Sequence, residues 1–319
     1  MADRVASEEY ISISVDCLLM DTVCDFDLYV ELANNNEPVL YRTRSLAFDQ
    51  PALDRLRESG ITQLFVRGSD KRVYNKYVEE HLAEAIADTS VATDVKAVMV
   101  YNSAQNLMRD VFENPLSGTN LARGSKMARN TMDLILTDES AFKKLMEVTE
   151  YDYYTYTHSV NVGVMSIALG ERIGLSHDEL AALGEGALLH DIGKNEVALK
   201  IVIKNGPLTA TEWVEVKGHP ARGGEILRES ENIIHDAYYA AEQHHERCCG
   251  GGYPFGLTGD KMHIFGKVCA VADVFDALTT ERSYKQALDP FASLQIMKNE
   301  MRDNFDEQIF RTFLLLMRK

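Results

Sequence analysis

Ala187-Leu188-Leu189-His190-Asp191-Ile192-Gly193-Lys194 decides how the chain is read, because an apolar run ends there on an imidazole and a carboxylate side by side. Upstream stands His158; downstream come His219, His244-His245-Glu246, Gly252-Tyr253-Pro254 and Asp273. Five of the nine histidines belong to this series, and two of them are adjacent beside an acid. Taken singly, each position has an ordinary explanation: a histidine bonded to backbone, or an aspartate acting as a cap or a solvated charge. Taken together they do not, since vicinal imidazoles crowd one another and each buried one needs a partner. Metal ligation supplies those partners. Imidazole with carboxylate suits borderline first-row ions such as iron, manganese, zinc or nickel, and one aspartate can bridge two ions through its two oxygens. The chemistry expected of such a centre is metal-assisted hydrolysis.

The surrounding sequence reads as helix after helix. Ser176-His177-Asp178-Glu179 and Thr209-Ala210-Thr211-Glu212 have capping-box spacing, which predicts helices beginning just after Ser176 and Thr209. His158 opens a helix whose core face includes Val164 and Ile167, and Asp289-Pro290 marks another start. Ligands drawn from several rigid helices hold ions at fixed separation better than loops alone.

Toward the N-terminus the pattern changes. Leu28–Leu32 and Val39–Tyr41 flank an asparagine-rich segment, residues 33–38, and read as two strands around a turn. Leu53 and Leu56 stand at helix spacing, Gly60 is placed to end that helix, and residues 61–66 follow as a strand. This gives a small mixed α/β domain over residues 1–90, with no phosphate loop, metal cluster or cofactor fingerprint. Residues 91–150 form a helical connector: Val98, Tyr101, Met108, Val111 and Phe112 recur near helical spacing before Pro115, and Leu121, Met127, Met132 and Leu136 do so again, with Asp138 placed to cap the next helix. The apolar stripes of the connector serve either the helical bundle or a homodimer that transmits a signal.

From near Tyr151 onward, about half of the chain, the series resembles the HD-GYP domain, a branch of the HD metal-dependent phosphohydrolases. The resemblance rests on His158, His190-Asp191-Ile-Gly-Lys194, His219-Pro220, His244-His245-Glu246, Gly252-Tyr253-Pro254, Asp273-Val-Phe-Asp276-Ala-Leu-Thr and Arg282-Ser-Tyr-Lys285 agreeing in order and spacing. It implies an α+β chain in which an all-α HD-type catalytic domain, residues 151–319, follows the small N-terminal domain. The latter resembles those that accompany some HD-GYP proteins. The activity implied is hydrolysis of the bacterial second messenger cyclic di-GMP to linear pGpG, and then to GMP if a second cut follows. Carried over residue by residue, the pattern makes His158, His190, Asp191, His219, His244, His245 and Asp273 the metal ligands, with Asp191 as the bridge. Lys194 is placed near the scissile phosphate, where an ammonium neutralises charge or protonates the leaving oxygen. Tyr253, Arg282 and Lys285 match positions that grip the ligand, arginine through its planar fork and tyrosine through a stacking face for guanine. The mechanism so implied is in-line attack on phosphorus by a hydroxide held at a binuclear site.

The chain also departs from the family. Members that hold three metals place a glutamate four residues before the first histidine; here Tyr154 stands there and cannot replace a carboxylate at neutral pH, so two divalent ions, iron or manganese before zinc or nickel, are expected. Cys248-Cys249-Gly250-Gly251 replaces the usual aromatic and aspartate ahead of Gly252, and Asn195-Glu196-Val197 replaces the usual Ile-Pro after Lys194. A vicinal disulfide at Cys248-Cys249 requires a strained ring, and a reducing cytosol opposes it. A weakly active cyclic-dinucleotide receptor or a signalling module with a protein partner is the alternative reading. A hydrolase of a mixed GMP-AMP cyclic dinucleotide is the other.

Composition fits this picture. With 45% hydrophobic and 26% charged residues over 319 positions, the chain is ordinary globular material long enough for two domains. The five cysteines, Cys17, Cys24, Cys248, Cys249 and Cys269, make no disulfide framework. No basic region followed by an apolar core opens the chain and no run is apolar enough to span a bilayer, so the expected location is cytoplasmic. The net charge of −16 argues against duplex nucleic acid and anionic membrane as partners. An anionic ligand then needs metals and local cations at the site, and Lys194, Lys200, Lys204, Arg282 and Lys285 lie in the right segment.

Overall fold

The structure, a computed structural model, describes residues 10–19, 22–32, 35–149, 156–202, 204, 206–280 and 286–318. Tyr154, Arg282 and Lys285 lie outside these residues. The chain divides into two compact units, residues 1–103 and 104–319.

In the first unit β1 (Tyr10–Ser14), β3 (Leu28–Leu32), β4 (Asn35–Arg42) and β6 (Gln63–Arg67) form an antiparallel sheet in the order β1-β6-β3-β4, and β2 (Thr22–Val23) pairs with β5 (Ala47–Phe48). The strand pair expected at residues 28–41 is present, but β4 already starts at Asn35, inside the segment read as turn. Main-chain pairing with β3 does not depend on side-chain polarity, and Pro38 is tolerated because β4 is an edge strand. Helix α1 (Gln50–Glu58) is capped by Asp49 and ends at Gly60, whose φ of +69° suits glycine. Helix α2 (Lys71–Ala87) follows β6, and α3 (Thr93–Glu113) carries the chain past residue 103. Phe26, Phe48, Leu64 and Leu82 are fully buried and centre this small core.

The second unit is helical: α4 (Gly118–Thr137), α5 (Ala141–Thr149), α6 (Thr157–Arg172), α7 (His177–Leu188), α8 (Leu199–Val202), α9 (Ala210–Val216), α10 (His219–Glu229), α11 (Tyr238–Gln243), α12 (Ile264–Thr279), α13 (Pro290–Glu300) and α14 (Glu307–Leu316). Both expected capping boxes form, Ser176 with Glu179 and Thr209 with Glu212, so α7 and α9 begin where those sequences place them. Asp289 caps α13 at Pro290. Helix α6 is buried along nearly its whole length, with Val162, Met165 and Leu169 in a core completed by Val268, Val271 and Phe275 of α12 and by Phe310 and Phe313 of α14. Burying one such apolar side chain stabilises by about 1.5–3 kcal/mol. This core holds α6 and α12 rigidly, and both carry site residues on their remaining face. Among the described residues no helix is long and apolar enough to cross a membrane.

Candidate metal centre

His158 on α6, His190 and Asp191 after α7, His219 at the start of α10, His244 and His245 at the end of α11, and Asp273 on α12 converge in one pocket of the helical unit. Three sets of their ligand atoms lie within 4.8 Å of one another: His158, His190 and Asp273; His219, His244 and His245; and His190, Asp191 and His244. Asp191 stands between the two outer sets. Its Oδ2 lies 3.7 Å from His158 Nε2 and 3.6 Å from His190 Nε2, while its Oδ1 lies 3.3 Å from His219 Nε2 and 3.8 Å from His244 Nε2. Asp273 Oδ1 approaches His158 Nε2 at 3.2 Å, and its Oδ2 approaches His245 Nδ1 at 3.6 Å.

Local backbone geometry fixes three of the rings. His190 Nδ1 bonds the Ala187 carbonyl at 2.7 Å, His219 Nδ1 that of Val216 at 2.7 Å, and His244 Nδ1 that of Ala241 at 2.8 Å. In each case the acceptor is three residues back at a helix end, and a carbonyl can only accept, so each Nδ1 carries the proton. In the neutral rings each Nε2 therefore presents a lone pair. His158 is turned the same way by Asp276, whose Oδ2 accepts from Nδ1 at 2.6 Å while Asn161 holds the other carboxylate oxygen at 2.7 Å.

The result is a cluster of facing acceptors. His219 Nε2 and His244 Nε2 are 3.2 Å apart, as are His158 Nε2 and His190 Nε2. Asp191 Oδ1 is buried with no hydrogen-bond partner although His219 Nε2 is close, as expected if that nitrogen has no proton to give. Two nitrogens bound to one ion at about 2.0–2.1 Å with ordinary bond angles lie roughly 3.0–3.4 Å apart. The spacing, the orphaned carboxylate oxygen and the mixed imidazole and carboxylate donors all fit divalent metal. The ring hydrogen bonds to carbonyl and carboxylate are those that orient metal-bound histidines.

Protonation agrees. Burial holds His190 below its ordinary value, His244 well below, and His245 down to about 3. Burial also opposes charge on Asp191, but the Lys194 ammonium and nearby imidazoles outweigh it and keep that carboxyl well below the usual range. Asp273 is likewise held down, against burial, by His158 and His245. For the protein side chains alone, burial disfavours charged His158, yet hydrogen bonds to Asp273 and Asp276 raise it to about 9. Neutral His190, His244 and His245 and ionised Asp191 and Asp273 are the ligand forms metal requires, whereas His158 has to release a proton to join them.

Lys194 sits three residues after Asp191 on a short 3₁₀ turn, Ile192–Glu196, and its Nζ pairs with Asp191 Oδ2. Gly193 makes this turn possible: a Cβ there would meet the His219 carbonyl oxygen at 2.1 Å. The turn thus packs backbone to backbone on α10 and brings Lys194 and His219 to the same centre.

Tyr253 reaches the centre from a loop. Its ring lies 4.7 Å from that of His245, and its backbone N–H donates to the His245 carbonyl. The loop is organised by Glu246, which sequence reading grouped with the adjacent histidines. The structure turns it away from them: its buried carboxylate accepts from the amides of Phe255, Gly256 and Leu257 at 2.7, 3.1 and 2.9 Å. Gly252 lets the loop close, since a Cβ there would fall 2.5 Å from Glu246 Cα. Cys248 and Cys249 lie on the outer side, with Cys248 N–H bonded to the Asn304 carbonyl and Cys249 Sγ 3.5 Å from Asn304 Oδ1. Asp276 and the loop-holding part of Glu246 were not read from sequence. For Asp276 the signals are its place in the Asp273-Val-Phe-Asp276 motif and its spacing, one helical turn after Asp273.

The HD-domain family profile matches residues 132–309. The chain is 28% identical over 292 residues to a cyclic di-GMP phosphodiesterase of Pseudomonas aeruginosa, covering 88% of this chain and 70% of that protein. It is 32% identical over 245 residues to 3'3'-cGAMP-specific phosphodiesterase 3 of Vibrio cholerae, covering 73% of this chain and 51% of the relative. A cyclic di-GMP phosphodiesterase response regulator of Xanthomonas campestris is 39% identical over 139 residues, 43% of this chain and 37% of its own. The chain thus spans only about half or less of the latter two. The fold matches that of an HDG"Y"P protein from Bdellovibrio bacteriovorus with a TM-score of 0.68 at 23% identity, covering 98% of this chain and all of that one.

Proposed function

The chain belongs to the HD-domain family, and we propose that it acts there as an HD-GYP phosphodiesterase that hydrolyses cyclic di-GMP. The observation that carries this reading is the shared Asp191 carboxylate between two imidazole sets whose Nε2 lone pairs face each other at 3.2 Å. Membership implies divalent metal, and the donors fit it. The finer proposal is two ions, iron or manganese: one held by His158, His190, Asp191 and Asp273, the other by His219, His244, His245 and Asp191. When bound, they supply Lewis acidity and activation of water.

The protein's own groups do the rest. Asp276 keeps His158 oriented, and the backbone carbonyls keep His190, His219 and His244 oriented. Lys194 faces the same volume and can neutralise the phosphoryl charge or give a proton to the leaving oxygen. Tyr253, with Arg282 and Lys285, is assigned to substrate grip. The proposed setting is the cytoplasm. Leu116 and Leu136, on or beside the connector helices of the second unit, are exposed, which supports a homodimer there; light scattering on the purified chain tests it. The 3'3'-cGAMP-specific relative supports a second reading, in which the substrate is a mixed GMP-AMP cyclic dinucleotide.

The test is hydrolysis of cyclic di-GMP and of the mixed dinucleotide by protein purified without oxygen and assayed with ferrous or manganous ion, with metal content measured on the same sample. Linear pGpG at about two ions per chain supports the proposal. Tight binding without product in metal-loaded protein replaces it with a receptor.

A further inference from the structure

Beyond the metal centre, a line of rings continues outward from His245. Tyr253 is followed by Trp213 on α9, with ring centroids 6.4 Å apart and planes at 69°. Lys217 stands four residues after Trp213 on the same helix face, and its ammonium lies over both rings, 5.5 Å from the centroid of Trp213 and 5.3 Å from that of Tyr253. Among the described residues no carboxylate forms an ion pair with Lys217. Trp213, the only tryptophan in the chain, is 45% exposed. A half-exposed indole contributes little to a core; a face left open beside a cation and next to the proposed reaction centre suits a planar, electron-rich ligand.

We propose that Trp213 and Lys217 form a nucleobase subsite that stacks one guanine of the substrate and selects it over adenine. This rests on the cyclic-dinucleotide reading above and extends it to residues outside the metal and loop motifs. Stacking on an aromatic face accepts any base, so Trp213 provides affinity. Discrimination falls to Lys217: an ammonium only donates, guanine presents two acceptors at N7 and O6, and adenine replaces the O6 acceptor with an amino donor. The ammonium also adds a local positive charge to a chain of net charge −16 that must admit an anion.

The experiment uses the full chain loaded with manganese and compares wild type with Trp213→Ala, Trp213→Phe and Lys217→Met. Three probes are followed: cyclic di-GMP, cyclic di-AMP and bis(p-nitrophenyl) phosphate, the last carrying no base. Because there is one tryptophan, its emission in rapid mixing reports this subsite alone. Cyclic di-GMP is expected to quench it. Trp213→Ala is expected to raise KM for cyclic di-GMP about ten- to a hundredfold, at least tenfold more than its effect on bis(p-nitrophenyl) phosphate, and phenylalanine to recover most of the loss. Lys217→Met is expected to reduce the preference for cyclic di-GMP over cyclic di-AMP by about tenfold. Equal losses on the base-free diester and the dinucleotide, or no quenching with KM unmoved, would overturn the subsite while leaving the phosphodiesterase reading in place. Quenching by cyclic di-GMP that depends on Lys217, without turnover, would keep the subsite and remove the hydrolytic reading instead.

Discussion

The metal pocket and the loop from Glu246 to Met262 lie side by side, yet they are held by different physics. In the pocket, three rings are aimed by carbonyls three residues back in their own segments, and α6, α7, α11 and α12, which carry or lead into most of the ligands, share one packed core. In the loop, three consecutive amides depend on one buried carboxylate, Glu246. Many local bonds set the chemistry, and one long connection sets the recognition. Substitutions in the pocket are therefore expected to change metal and turnover, and those in the loop to change binding alone.

The sharpest challenge to that division is Asp191→Ala. Both proposed subsites lose a donor at once, so metal content and cyclic di-GMP turnover should fall together, turnover by about a thousandfold or more. Metal analysis and initial rates on one preparation decide it; full metal with lost turnover would mean that Asp191 is not the bridge. Lys194→Ala comes next, with turnover reduced about a hundred- to a thousandfold and metal retained, because its ammonium touches Asp191 without being a metal donor. Equal metal loss in both variants would end the separation of their roles.

The same contrast explains what was legible in the sequence. His190-Asp191, the capping boxes at Ser176 and Thr209, and the strand pair near residues 28–42 are local patterns, and the structure forms each near its place. The aspartate that orients His158 was not legible, because Asp276 is 118 residues away and nothing near either residue states the pairing. The part played by Glu246 was not legible for a related reason. In the sequence it stands beside two histidines with no role of its own, and only the return of the chain to Phe255, Gly256 and Leu257 shows that its oxygens go to amides. The Trp213–Tyr253 pair joins α9 to that loop across forty positions.

Asp276→Asn tests whether the pocket is as locally determined as its other rings imply. Unlike His190, His219 and His244, His158 hydrogen-bonds through Nδ1 to a side chain rather than the main chain: Asp276 Oδ2 at 2.6 Å, with Asn161 on Oδ1 at 2.7 Å. The amide keeps the volume but removes the charge and one acceptor. Metal affinity should weaken about ten- to a hundredfold, and metal added in excess should restore turnover. Unchanged affinity in a metal-buffered titration would show that helix packing alone holds His158.

Glu246→Gln should have the smallest effect and isolates the loop. The glutamine carbonyl can serve either Phe255 and Gly256 or Leu257, while its amino group meets the remaining backbone N–H as donor against donor. Losing one charge-assisted bond of this kind costs about 1.5–3 kcal/mol, but part of the loop retains other anchors: Cys248 N–H on the Asn304 carbonyl and Gly259 N–H on the Cys248 carbonyl. Tyr253 should therefore stay near His245 with a wider range of positions. KM for cyclic di-GMP should rise about tenfold, with metal content held and kcat within about twofold. A fall in kcat with KM unmoved would mean that the loop helps to build the chemistry, and the boundary between the two regions would then lie beyond Glu246.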